Sequence, residues 1–218
     1  MIQYRDCGTP TMRTDFMRLG VFGGTFDPIH LGHLLLAECC REQGRLDRVL
    51  FVPTAVPPHK QHGSQIPVEN RIEMIELAIG GNEAFSVNRH EADLGGVNYT
   101  VDTLEHFRGE FPDNELFLLL GADMLHDLPH WRDSARVCQL AVPMVVCRPG
   151  EGMLDFDCLA TVASPERIDL IRRHRVDMPE MGISSTEIRR RVAAGHSIRY
   201  QTPAAVEQYL KTHGLYSG

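Results

Sequence analysis

Residues 20–33 read GVFGGTFDPIHLGH. Two histidines, His30 and His33, follow a glycine pair, Gly23 and Gly24, and a turn signal, Asp27-Pro28. The apolar run Leu19–Phe22 ends at the glycines, and Leu31, Leu34 and Leu35 open a helix behind them. Paired glycines let a backbone bend tightly and approach a ligand closely. Asp-Pro favours a turn. With His30 on the first helical turn, both rings share one face. They then stand at a helix N-terminus, where unpaired N–H groups favour anions. Two imidazoles without a third partner make poor metal ligands but good donors to phosphate oxygens. The other reading is that both histidines are turn residues with local capping roles. The stretch is neither a Walker loop nor G-x-G-x-x-G, so neither of those mechanisms applies.

A second stretch lies far downstream, ISSTEIRRR at 183–191. Ser184 followed by Glu187 has capping-box spacing, which predicts a helix starting near Ser185 with Ile188 and Val192 on its buried face. Ser184, Ser185 and Thr186 put hydroxyls at the helix mouth, and Arg189 lies one turn inside. Hydroxyls, backbone N–H groups and one guanidinium together can grip phosphate. A plain capped surface helix reads the same residues without a ligand.

These two stretches need a scaffold to bring them together. Strand-like apolar runs occur at Leu19–Phe22, Val49–Val52, Phe85–Val87, Leu116–Leu120 and Ala141–Cys147. Helix-like segments near 31–43, 67–80, 101–109 and 130–138 separate most of them. That alternation predicts an α/β fold, a Rossmann-like doubly wound parallel sheet covered on both faces. The C-terminal third adds a small helical part. Ser164-Pro165 and Thr202-Pro203 read as helix starts and Gly214 as a stop. Residues 1–16 mix Gly, Pro, Thr and charges without periodicity. They read as an N-terminal arm ahead of one domain over 17–218, and Met12 or Met17 is an alternative start.

Bulk properties narrow the function classes. The chain has 218 residues, 43% of them hydrophobic, enough for one sizeable core. No apolar stretch approaches a membrane span, and the first residues lack the apolar segment of a secretory signal, so no membrane partner is expected and the cytoplasm is the simplest compartment. Six cysteines include no C-x-x-C pair and read as thiols packed as small apolar groups. A net charge of −7 argues against a nucleic-acid backbone as the main partner. The arginines of EIRRRVAAGHSIR and IRRHR suit phosphate or carboxylate contacts, or a solvated helix face. Contacts near the C-terminal helices could create a homo-oligomer.

GGTFDPIHLGH followed by ISSTEIR resembles the nucleotidyltransferase superfamily with the H-x-G-H signature. More closely, the chain resembles bacterial nicotinate-nucleotide adenylyltransferases from about Met17 to Tyr216. PTAVPPHK, NYTVDTL, GADMLHDLPHW, CRPG and TPAAVEQYLKTHGLY match in order. The resemblance implies transfer of AMP from ATP to nicotinate mononucleotide, giving nicotinate adenine dinucleotide and pyrophosphate in NAD biosynthesis. It further implies that His30 and His33 contact ATP phosphates and stabilise charge as pyrophosphate leaves. Gly23, Gly24, Thr25 and Phe26 would line the ATP site through their backbone. Ser184, Ser185, Thr186 and Arg189 resemble a second phosphate clamp, and Lys60 would add positive charge from loop 53–66. Gly121 and Asp123 fall in the ATP-side motif, with Asp123 also reading as a helix N-cap. Trp131, the single tryptophan, would stack on the pyridine ring. Backbone N–H groups near Tyr99 and Thr100 would take the nicotinate carboxylate. Asn98 replaces a serine common in the family. Magnesium is expected with ATP, held mostly by phosphates and water, with no dedicated metal site.

Phosphopantetheine adenylyltransferases share this architecture, but His30, Trp131 and ISSTEIR point away from them. Class I aminoacyl-tRNA synthetases are longer and carry a lysine-rich second signature that is missing here. A non-catalytic nucleotide sensor would not release pyrophosphate. A metal-binding protein built on the 11 histidines would need acid or cysteine partners at ligand spacing.

Overall fold

Along the first strand, β1 (Arg18–Gly24), Leu19 and Val21 join one apolar cluster and Phe22 the other. In β4 (Glu115–Gly121), Leu116, Leu118 and Leu120 side with Leu19, and Phe117 and Leu119 side with Phe22. This is the two-residue period of a strand buried on both faces. The structure is a computed structural model and describes residues 16–56, 66–147 and 154–217. The remaining strands are β2 (Arg48–Pro53), β3 (Phe85–Val87), β5 (Val142–Cys147) and β6 (Val176–Asp177). All pairings are parallel, in the order β3-β2-β1-β4-β5-β6. The doubly wound expectation therefore holds. The order reverses between β1 and β4, and ligands in such sheets bind beyond the carboxyl ends at that switch point.

The helices are α1 (Leu31–Gly44), α2 (Val68–Ile79), α3 (His90–Leu94), α4 (Thr100–Glu110), α5 (Ala122–Asp127), α6 (Ser134–Leu140), α7 (Pro165–Arg173), α8 (Ser185–Ala193) and α9 (Ala204–Thr212). One core holds Ala37 and Cys40 of α1, Met74 and Ile75 of α2, Ile188 of α8, and Val206 and Leu210 of α9. The opposite core holds Leu104 and Phe107 of α4, Val137 and Cys138 of α6, and Ile168 and Ile171 of α7.

Three local expectations change. The helix expected over 130–138 begins at Ser134, because Pro129 sits in a 3-10 turn, Leu128–His130, that ends at Trp131. Asp123 is not an N-cap; Gly121 holds that place and Asp123 lies in the first turn of α5. Only half of a capping box forms at α8: Ser184 Oγ accepts from Glu187 N–H, while the Glu187 carboxylate pairs with Arg190. Strand β6 and helix α3 go beyond the sequence reading; two and five residues carry too little period to be seen.

Candidate active site

The carboxyl end of β1 feeds directly into the His30 turn. His30 is the N-cap of α1 and 6% exposed. Its Nδ1 accepts the His33 N–H at 3.3 Å, and the His33 Nδ1 accepts the His30 N–H at 3.3 Å. The rings stack with centroids 3.6 Å apart. The rings share a face and cap the helix reciprocally, so the local capping role is present; His30 is the N-cap itself, one residue ahead of the first turn where the sequence reading put it. Capping fixes the chemistry. With Nδ1 accepting, each neutral ring carries its proton on Nε2, the atom that can donate to a phosphate oxygen. Gly32 was not singled out by sequence, yet a Cβ there would lie 3.1 Å from the His30 ring. The glycine between the histidines leaves room for the stack.

Burial, then the neighbouring His30, push His33 well below its ordinary value of 6.5. The folded ring stays neutral where the unfolded one takes a proton. Stability tied to this group is therefore present above about pH 6.5 and lost as pH falls below it. Melting temperature is expected to fall between about pH 7.5 and 5.5, with a shallower slope in His33→Asn. Identical slopes for the two proteins would contradict the assignment.

The loop ahead of His30 is held by its carbonyl oxygens. Arg71 Nη1 donates to Thr25 O at 2.7 Å, and Arg189 Nη1 to Asp27 O at 2.6 Å. Ser185 Oγ donates to Pro28 O and Thr202 Oγ1 to Ile29 O, each at 2.9 Å. Gln201 O accepts the Leu31 N–H at 3.0 Å. Asp27 is 4% exposed, and its carboxylate accepts from Tyr216 Oη at 2.5 Å. Burial and this bond push the Tyr216 phenol up, so it remains a donor. The two sequence stretches thus meet: α8 begins against the His30 loop. Thr202 was expected to cap α9; Pro203 takes the N-cap and the Thr202 hydroxyl serves the loop instead.

Within this frame the expected ATP-side residues fall as follows. Gly23 and Gly24 close β1, and Phe26 is buried with a left-handed backbone, φ 49°. The Phe26 ring folds back over Gly24, where a Cβ would lie 2.9 Å from it. Gly24→Ala is expected to cost about 1–3 kcal/mol, read from a urea midpoint; an unchanged midpoint would show that the ring yields freely. Gly121 ends β4, and the exposed Asp123 carboxylate lies over it, 2.5 Å from where a Cβ would be. Arg189 Nη2 donates to Thr186 Oγ1 at 3.3 Å. Ser184, Ser185, Thr186 and Arg189 are therefore gathered at the start of α8 beside the loop. Lys60 lies outside the described residues.

On the other side of β4, Tyr99 precedes α4 as its N-cap with extended backbone, so the Thr100 N–H sits in the helix's first turn. Asn98 Nδ2 turns inward, donating to Glu91 O and Gly95 O at 3.2 Å each. Trp131 is half-buried against the core that also takes Tyr99. Arg132, missed in the sequence, lays its guanidinium 4.5 Å from the Tyr99 ring centre and 3.6 Å from Asp102. Only its place after the tryptophan could have flagged it.

A glycine-ended β1 at the switch point of a parallel sheet, followed by two stacked histidines at a helix start, has the arrangement expected of a nucleotidyltransferase-type fold. Residues 21–191 match the cytidylyltransferase-like family model. A probable nicotinate-nucleotide adenylyltransferase of Thermus thermophilus is 46% identical over 200 residues, covering 92% of this chain and all of that protein. One from Thermomicrobium roseum is 45% identical, covering 91% of each. The fold is shared with a Plasmodium falciparum nicotinic acid mononucleotide adenylyltransferase solved with NaAD, at TM-score 0.71, 16% identity, and 92% and 97% coverage. The chain belongs to the nicotinate-nucleotide adenylyltransferase family.

Proposed function

We propose that this protein transfers the adenylyl group of ATP to nicotinate mononucleotide, releasing pyrophosphate and forming nicotinate adenine dinucleotide for NAD biosynthesis. The observation that carries the mechanism is the reciprocal cap, in which both Nδ1 atoms accept backbone N–H groups and Nε2 is the ring atom left to donate to phosphate. The acceptor phosphate attacks the α-phosphorus in line, and the bond to the bridging oxygen of pyrophosphate breaks. Such transfer depends on alignment and charge stabilisation more than on proton movement. His30 and His33 hydrogen-bond the ATP phosphates and stabilise the departing charge. The backbone of Gly23, Gly24, Thr25 and Phe26 borders the phosphates, with Gly121 and Asp123 across the switch point. The start of α8 closes the far side through its N–H groups, with Ser184, Ser185, Thr186 and Arg189, and Lys60 adds charge.

The nicotinate ring stacks on Trp131. Its carboxylate takes backbone N–H groups at Tyr99 and Thr100, where the N-terminus of α4 favours a negative charge. The Asn98 amide turns inward to backbone carbonyls, which supports a carboxylate site made of backbone N–H groups rather than of a side-chain hydroxyl. Magnesium fits as part of the nucleotide. Among the described residues no group of three His, Cys, Asp or Glu side chains could hold a metal, and Asp27 is engaged by Tyr216. Asp123, exposed beside Gly121, is the carboxylate available to the ion's water shell. When bound, the ion neutralises phosphate charge. No helix among the described residues is long and apolar enough to cross a membrane.

Pyrophosphate–ATP isotope exchange tests the direct transfer. Exchange is expected only when nicotinate mononucleotide or its dinucleotide product is present. Exchange with ATP and pyrophosphate alone would indicate a covalent adenylyl-enzyme and overturn the in-line reading.

A further inference from the structure

Arg71 is 1% exposed, the bulkiest fully buried side chain among the described residues. It sits on α2 at a position that binds no substrate in the mechanism above. A guanidinium is costly to bury unless all its donors are used. Here carbonyl oxygens use four of the five: Thr25 O at 2.7 Å, Thr54 O at 2.8 Å, Ala55 O at 3.1 Å and Ile66 O at 3.4 Å. Four carbonyls from three separate stretches converge on one side chain. Thr25 belongs to the phosphate loop, and Thr54 and Ala55 follow β2. A planar fork of five donors can make this set of bonds, and a lysine ammonium cannot.

The Thr25 bond has a directional consequence. In a trans peptide the carbonyl and the next N–H point opposite ways. Drawing Thr25 O inward to Arg71 turns the Phe26 N–H outward. Phe26 also holds φ 49°, an uncommon conformation for a bulky residue. Such backbone persists only where its surroundings over-determine it. Arg71 holds one side of it. On the other, the Phe26 ring packs edge-on against Phe22 and His33, at 5.3 and 5.1 Å.

We propose that Arg71 is a positioning residue for adenylyl transfer: by gripping Thr25, Thr54, Ala55 and Ile66 through their carbonyls, it sets the phosphate loop against β2 and turns its backbone N–H groups to ATP. The inference rests on the reading of this loop as the ATP site. If that reading fails, wild-type protein releases no pyrophosphate from ATP and nicotinate mononucleotide. If only this inference fails, wild type is active and the Arg71 variants are unimpaired.

The test is steady-state kinetics of Arg71→Met and Arg71→Lys in the full chain, below both melting temperatures, varying each substrate in turn. Arg71→Met is expected to lower kcat/KM for ATP on the order of 10–10²-fold, the scale for a slightly misplaced group. KM for nicotinate mononucleotide is expected to stay within about twofold. Arg71→Lys keeps the charge but loses the fork; it should recover part of the loss and remain about fivefold or more below wild type. If the methionine variant does not fold, the lysine variant carries the test. A kcat/KM for ATP within about twofold of wild type in a folded variant would overturn the proposal, as would an equal rise in KM for both substrates.

Discussion

His33→Ala lowers kcat by about 10²–10³, the scale for removing one donor aimed at developing charge. The ring has two duties, and the variant removes both. It loses the Nε2–H donor, and it loses the Nδ1 acceptor that satisfies the His30 N–H. The second loss alone costs stability, about 0.5–2 kcal/mol for a helix cap. His33→Asn separates them. An asparagine carbonyl lies near the place of Nδ1, so it can still accept the His30 N–H, but it puts no donor where Nε2 was. His33→Asn is therefore expected to melt close to wild type and to be as slow as His33→Ala. Recovery of turnover along with stability would mean that the histidine acts only as a cap. Because burial and His30 hold His33 well below 6.5, activity should not decline through ordinary histidine protonation near neutral pH. A kcat that required a protonated ring would rise as pH fell, the opposite sign.

Trp131→Ala raises KM for nicotinate mononucleotide by about 5–150-fold, the range for losing one aromatic stacking partner. Trp131 is half-buried on the core that packs Tyr99, and its backbone N–H is fixed to Leu128 O at 3.1 Å. The 3-10 turn that displaced the expected helix start is what presents the ring. KM for ATP is expected to stay unchanged, since the proposed ATP site is built on the His30 loop and the start of α8, away from Trp131. Trp131→Phe keeps a smaller platform and should recover most of the loss. Equal rises for both substrates would show that the residue supports the fold rather than the nicotinate ring.

The sheet was legible in the sequence because its signals are local. FLLL at 117–120 sits in the middle of a strand buried on both faces, and GVFGG ends a strand where the glycines say it must. The histidine face followed from the three-residue spacing, and the start of α8 from Ser184. What the sequence did not disclose is how the His30 loop is held. Its anchors are Arg71, Ser185, Arg189, Thr202 and Tyr216, which reach loop carbonyls or a carboxylate across 46–189 residues of chain. A side chain bonded to a distant carbonyl leaves no periodicity. NRIEMI reads as an ordinary amphipathic turn, although its arginine is buried. Thr202-Pro203 reads as a helix start and is one, but the threonine hydroxyl belongs to the loop. Asn98 reads in the sequence only as a substitution in the nicotinate motif, and its bond to the Gly95 carbonyl left no sign there.

The central claim is tested most directly by one assay of pyrophosphate release and dinucleotide mass with ATP and three acceptors: nicotinate mononucleotide, nicotinamide mononucleotide and phosphopantetheine. The account predicts stoichiometric pyrophosphate and nicotinate adenine dinucleotide with the first. It predicts a lower kcat/KM with the second, since an amide brings no charge to the α4 N-terminus, and no product with the third. Equal kcat/KM for the two mononucleotides, or adenylylation of phosphopantetheine, would contradict it.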